Sequence, residues 1–284
     1  MKTRNKGLIL SFIGVLILSP DSLLIRLVDL DDFSLIFYRS ALPIVTILIF
    51  LIYTYHKSFL KSFYLIGIPG IIYAILYAIT HICFVYSIQN TAVANTLVLI
   101  ASAPIFAALF SVFILKEIPS LFTWIVIIIA MLAMIIIGVG SFTTTGLYGD
   151  LMALVVAIGM GFSMVLVRLF KNKDLVPACL LGCLISAIYV LPFGINFNLY
   201  NDLFILIIIM CLIILPIPFM IMTISPKFAH AHEVALIFLL ESVLGTTWVW
   251  FVIKEVPPLN TIIGGILLLG SVAIFIYQTT RKSN

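Results

Sequence analysis

Ten apolar runs, each near the length of a membrane-spanning helix and separated by short polar connections, constrain this chain more than any other feature. They are expected over residues 7–27, 34–55, 63–88, 92–115, 120–140, 147–169, 176–195, 203–224, 233–253 and 259–279. About 20 apolar residues rising 1.5 Å each cross a hydrocarbon core of about 30 Å. The runs show no period-2 alternation, which excludes a transmembrane barrel. Only the turn Gln89-Asn90-Thr91 divides the third run from the fourth. Charge gives the same answer: 9% of the 284 residues are charged, 64% are hydrophobic, and the mean hydropathy is +1.32. A typical soluble chain carries roughly 25% charged residues. Eleven acids and fifteen bases cannot cover a water-facing surface of this size, so lipid is the solvent for most side chains.

The basic residues report topology. With a cytoplasmic N-terminus, Lys2, Arg4, Lys6, Lys57, Lys61, Lys116, Arg168, Lys171, Lys173, Lys227, Arg281 and Lys282 fall inside, and only Arg26, Arg39 and Lys254 outside. This positive-inside bias fits an even number of crossings with both termini cytoplasmic, in a multi-pass protein of the cytoplasmic (inner) membrane. The net charge of +4 is spread over loops and forms no nucleic-acid patch. The first run follows basic residues without a small-residue cleavage site and reads as a retained helix rather than a signal peptide. Cys83, Cys179, Cys183 and Cys211 lie inside apolar runs without metal spacing and read as small buried hydrophobes.

An internal repeat is visible. ILKEIPSLFTW after one run matches VIKEVPPLNTI after another, pairing Lys116-Glu117 with Lys254-Glu255 and Pro119 with Pro257 at an offset of 138. Gly7 and Arg26 match Gly149 and Arg168 at an offset of 142. Five spans per half is odd, so the halves face opposite ways, a construction common in secondary transporters. The expected fold is therefore an all-α integral membrane protein of ten transmembrane helices in two inverted five-helix repeats, residues 1–141 and 142–284.

ANTLVLIASAPIFAALFSVFILKEIPSLFTW, its partner VALIFLLESVLGTTWVWFVIKEVPP and the ten spans resemble the drug/metabolite transporter superfamily, EamA type, over essentially the whole chain. The resemblance implies alternating access and a central cavity lined mainly by helices 1, 3, 4, 6, 8 and 9. It implies a superfamily rather than one cargo, since members carry amino acids, amines, nucleotide-linked sugars and other metabolites. Second halves in this family often read Glu-Pro in the ninth helix. Here Ser242 follows Glu241 while the first half keeps Pro104, so the resemblance carries no kink to Glu241.

Ionisable groups inside the membrane cost about 2.5–3.5 kcal/mol each and are functional candidates by default. Glu241 shares a face with Gly245 and Trp248 and reads as a cation or proton site, or as a protonated carboxyl bridging two helices. Asp21 follows Pro20 inside the first span, and Arg39 starts the second at similar depth. They could form an ion pair acting as an extracellular gate, or anchor separately to headgroups and water. Tyr73, Tyr77, Thr80, His81 and Phe84 share a broad face of the third span, rising about 16 Å. An aromatic stripe beside carboxylates suits an amine through cation–π contact, and helix packing is the plainer use. Asn95 and Ser102 could bind polar cargo or join helices. Ala103, Ala107 and Ser111 read as close packing, Gly159, Gly161 and Ser163 as packing or a cavity wall, and Pro216 and Pro218 as a kink. His230-Ala231-His232-Glu233 lacks the spacing of a metal site and reads as a helix start.

These observations favour a secondary transporter of a small amine, amino acid or similar cationic or zwitterionic metabolite, in the export direction by family resemblance, either coupled to protons, with Glu241 as the candidate coupling group, or running down the metabolite's own gradient. No Walker A sequence is present and no cofactor is expected. An integral-membrane enzyme would need a catalytic cluster, and Gly161-Phe-Ser163-Met-Val165 lacks the closing glycine of a nucleophile elbow. A membrane assembly protein would have no water-accessible polar centre. Oligomeric state has no signature in such a sequence.

Overall fold

The protein is described from a computed structural model covering residues 2–28, 30–91, 93–138, 146–197, 201–254 and 259–281. Glu255, Pro257, Lys282 and the side chain of Arg26 lie outside the described residues. The described chain is helical throughout: α1 (Lys2–Leu18), α2 (Asp21–Val28), α3 (Asp32–Tyr55), α4 (Phe59–Asn90), α5 (Val93–Ile100), α6 (Ala103–Phe110), α7 (Leu121–Gly138), α8 (Leu147–Leu169), α9 (Val176–Val190), α10 (Asn201–Ile209), α11 (Pro216–Ile224), α12 (Ala231–Phe238), α13 (Leu240–Ile253) and α14 (Leu259–Arg281). Among the described residues nine helical stretches are long and apolar enough to cross a membrane. One of them, Asp32–Asn90, runs 59 residues and doubles back at His56, so that Ser40 on α3 meets His81 on α4.

One face collects the junctions. Arg4 at the start of α1 pairs with Glu233 at the start of α12, Tyr55 at the end of α3 donates to Asp174 before α9, and Arg168 at the end of α8 pairs with Glu117 before α7. Phe122 stacks on Phe275, while Gly264 lies against Ala133 and Ile137, so α7 and α14 are antiparallel and Arg281 returns to this same face. The first half therefore starts on the face at which α8 ends, and the two halves are inverted.

Both halves break the repeated helix in the same register. α5 gives way to α6 at Ala101–Ser102, and α12 gives way to α13 at Leu239. Pro104 cannot donate a backbone hydrogen bond, which accounts for the first break. The second occurs without a proline: the Leu239 and Ser242 amides bond three residues back, and the Ser242 hydroxyl donates to the Leu239 carbonyl at 2.6 Å. The kink beside Glu241 is thus present, although the resemblance gave no proline for it. Each broken helix then ends on a lysine in left-handed backbone, Lys116 at φ 56° and Lys254 at φ 62°.

Other breaks follow proline chemistry. Pro20 frees the Leu16 carbonyl, which accepts from the Ser19 hydroxyl at 2.9 Å. Pro216 frees the Leu212 carbonyl, which accepts from Thr46 at 2.7 Å, and Met210–Ile214 widens into a π turn. This is the kink expected at Pro216 and Pro218. α4 carries a further break at Gly67, whose φ of 59° an L side chain rarely adopts.

Candidate functional site

The breaks leave carboxylates and aromatic rings around one internal cavity between the halves. Asp21 opens α2, where the helix N-terminus favours negative charge. Its carboxylate receives both terminal nitrogens of Arg39, at 2.7 and 2.9 Å, and the two side chains are 3% and 1% exposed. The guanidinium also contacts the Met210 thioether at 3.4 Å and lies 5.8 Å from the Phe84 ring centre, but its Nε has no partner. Opposite them, α13 presents Glu241, which has no hydrogen bond or ion pair among the described residues.

His81 accepts from or donates to Ser40 through Nδ1 at 3.2 Å, and its Nε2 is unpartnered. Tyr77 stacks beside it, ring centres 6.2 Å apart. With Thr80 and Phe84 they form the α4 wall; Leu97, Ile100, Met160, Phe219, Met222 and Phe238 complete an apolar surround. The cavity measures about 90 Å³, small against the roughly 300–1,000 Å³ of a typical small-molecule pocket. A second cavity of about 30 Å³ continues towards the face that holds the termini, lined by Tyr73, Tyr77, Ser163 and Met164 among others.

Asp21, Arg39, Tyr77, Thr80, His81, Phe84 and Glu241 thus converge, and Tyr73 lines the second cavity, its hydroxyl 2.9 Å from Thr223. Three other expected residues lie elsewhere. Asn95 is buried and donates to Thr91 at 3.3 Å, Ser102 donates to the Leu99 carbonyl at the helix break, and Trp248, an exposed residue, donates to Ser19 at 2.9 Å. Cys179 and Cys183 are buried, as read, but they also serve as polar partners of Thr223 and Tyr77.

Sequence reading missed a second polar constellation on the termini face. Glu117 Oε1 accepts from Arg168 at 3.1–3.2 Å and its Oε2 meets His230 Nδ1 at 2.7 Å. Asp174 accepts from Lys227 at 3.1 Å, from the Val176 amide at 3.1 Å and from Tyr55. Burial pushes the Glu117 carboxyl up, but the His230 and Arg168 hydrogen bonds outweigh it and hold the group below the usual range. Asp174 is likewise lowered, burial being outweighed by Tyr55, Lys227 and the Val176 amide. The His230–Glu233 segment is a helix start, where the Glu233 carboxylate accepts the His230 amide at 3.3 Å. The repeated Lys-Glu motif marked Glu117, but no sequence spacing names its partner Arg168.

Comparison with known proteins gives a consistent result. The chain is 23% identical over 258 residues to the pseudopaline exporter CntI of Pseudomonas aeruginosa, covering 88% of this chain and 87% of that protein. A solved crystal structure of a protein with 15% sequence identity superposes with a TM-score of 0.80, covering 99% of this chain and 100% of the other, which shows a shared fold. The model of the EamA-like transporter family matches residues 5–139 and again residues 147–277, and the chain belongs to that family.

Proposed function

We propose that this transporter exports a small organic metabolite bearing a cationic amine, alone or as part of a zwitterion, by alternating access and in exchange for protons. The observation that carries this reading is charge balance in the cavity. Arg39 is paired with Asp21, so of the two carboxyls at the cavity Glu241 is the one without an ion pair of its own among the described residues. A cation from outside, either a proton or the cargo amine, neutralises the second carboxyl, and one displaces the other. Tyr77 and Phe84 offer π faces to the same amine. Arg39 lines the same cavity and its Nε is unpartnered, which supports it as the group that would meet a cargo carboxylate. Similarity to an exporter supports the outward direction.

In this reading the doubled stretch Asp32–Asn90 counts as two crossings, making ten, with halves of residues 1–141 and 142–284. Positive charge on the termini face supports a cytoplasmic orientation for both ends, in the cytoplasmic membrane. Asp21 and Arg39 act as the gate towards the outer face. The charge-swapped pair Asp21→Arg with Arg39→Asp is expected to recover part of the transport lost in each single variant.

The direct test is flux of a panel of amines and amino acids in proteoliposomes, wild type against Glu241→Gln, at two pH values. Selective flux of the amine-bearing class that the variant abolishes or makes indifferent to pH is expected. Selective flux of anions or neutral solutes, or an amine flux unchanged in Glu241→Gln, would overturn the proposal.

A further inference from the structure

A chain of ionic contacts on the termini face lies outside the cargo cavity and joins the two halves. Glu117 from the first half bridges Arg168 and His230 from the second, Arg4 pairs with Glu233, and Tyr55 holds Asp174. The links are continuous, since Arg168 also donates to the Lys227 carbonyl at 3.3 Å and Lys227 pairs with Asp174. On the opposite face the halves meet through hydrogen bonds such as Tyr38 to the Asn196 carbonyl at 3.0 Å and Thr91 to the Asp150 carboxylate at 2.8 Å, and no ion pair joins them there among the described residues.

The network also stands across the continuation of the cavity. Along α8, Met160 lines the main cavity, Ser163 and Met164 line the second, and Arg168 follows one helical turn later, about 6 Å on. Along α11, Met222 lines both cavities and Lys227 lies five residues further.

From this placement we infer that the Glu117–Arg168–His230 and Asp174–Lys227–Tyr55 clusters form the gate of the termini face, and that Glu117 and Asp174 are its positioning residues. The inference rests on the alternating-access reading. Partial exposure suits a gate, because the Glu117 and Arg168 side chains are 28% and 17% exposed and water can replace each partner as the halves part. Such pairs are close to break-even against hydration, which a reversible closure requires. Asp21–Arg39, at 3% and 1% exposed, differs in lying at the cavity itself, so water reaches that outer gate only as the cavity opens around it.

The test needs no cargo. Ser163→Cys places a reporter in the second cavity, and a membrane-impermeant thiol reagent is applied to everted and right-side-out vesicles, with label at residue 163 read by peptide mass spectrometry. Adding Glu117→Gln is expected to raise labelling from the termini face by about fivefold or more, the span of ordinary coupling free energies, with no rise from the other face. Asp174→Asn acts on the second cluster and is expected to do the same. The swap Glu117→Arg with Arg168→Glu restores a pair and is expected to return labelling towards wild type. If Glu117→Gln fails to fold by size-exclusion profile, Asp174→Asn and the swap decide. Labelling equal to wild type in the folded variants, or rising equally from both faces, overturns the gate. Either result leaves the amine reading untouched, and a wrong cargo class would leave the labelling result standing.

Discussion

Removing Arg39 is expected to be among the most damaging single changes in the protein, and the structure fixes the reason. Its guanidinium makes two ionic hydrogen bonds to Asp21, at 2.7 and 2.9 Å, in a site where both side chains are almost fully enclosed. Arg39→Met leaves Asp21 facing a cavity that already holds Glu241, so two carboxyls share an apolar surround without a cation. Breaking one side of a buried pair costs about 3–5 kcal/mol. For a chain of this size that corresponds to a fall in midpoint of about 6–20 °C. Asp21→Asn is expected to cost less, because Arg39 then still has the Glu241 carboxyl, the Phe84 ring and the Met210 sulfur nearby. The double variant Asp21→Asn with Arg39→Met removes charge from both sides and is expected to be more stable than Arg39→Met alone. The assay is thermal unfolding of the purified protein in detergent for wild type, both singles and the double. If the two single losses simply add in the double variant, the pair is not an energetic unit and the reasoning fails.

Further outcomes are expected elsewhere. A Cβ on Gly182 would lie 2.7–2.9 Å from three atoms of the Tyr77 side chain, so Gly182→Ala should cost about 1–3 kcal/mol and lower flux, whereas Gly270→Ala, with nothing within 4 Å, should be neutral or slightly stabilising in the same melts. Ser242→Pro gives up the bent amide bond to Leu239 and the hydroxyl contacts to the Leu239 carbonyl and the Met134 sulfur, but no regular helical bond, and should lose clearly less than Leu236→Pro in the preceding helix, which should lose about 3 kcal/mol or more; equal losses would argue against a preformed kink. Asp174→Asn weakens contacts to Tyr55, Lys227 and Val176 and should cost about 1–2 kcal/mol after allowance for solvent screening. Because the folded carboxyl titrates below its ordinary 3.8, its contribution is complete above about pH 4 and disappears as pH falls through the lowered value, so the midpoint gap between wild type and Asp174→Asn should be flat from neutral to about pH 4 and close below it.

Much of the architecture was legible because a bilayer leaves few options: apolar length marks the helices, and Lys-Glu at 116–117 and 254–255 marks the repeat. Asp21, Arg39 and Glu241 were legible because charge in an apolar run has few other uses. Face and depth were harder. Asn95 and Ser102 were candidates for polar cargo, yet α5 turns Leu97 and Ile100 to the cavity, and a residue two positions away on a helix points about 200° elsewhere. Trp248 does follow Glu241 along α13, but seven residues is about 10 Å, which carries it past the cavity to Ser19. The Arg168–Glu117 and Lys227–Asp174 pairs were illegible because each charge sits beside a helix end, where contact with headgroups and water explains it equally well.

The closed Asp21–Arg39 pair also bears on how the membrane potential acts. One elementary charge carried across 100 mV is worth about 2.3 kcal/mol. In the proposed cycle a carboxylate and a guanidinium that both stay in the core sum to zero, so the two together would not respond to voltage as access changes sides. Under one-for-one exchange at Glu241, a singly charged amine outward against a single proton inward also moves no net charge. Such a cycle would draw on the proton gradient alone and run unchanged in a depolarised cell. A zwitterionic cargo would alter that balance, leaving each turnover to carry one net positive charge inward.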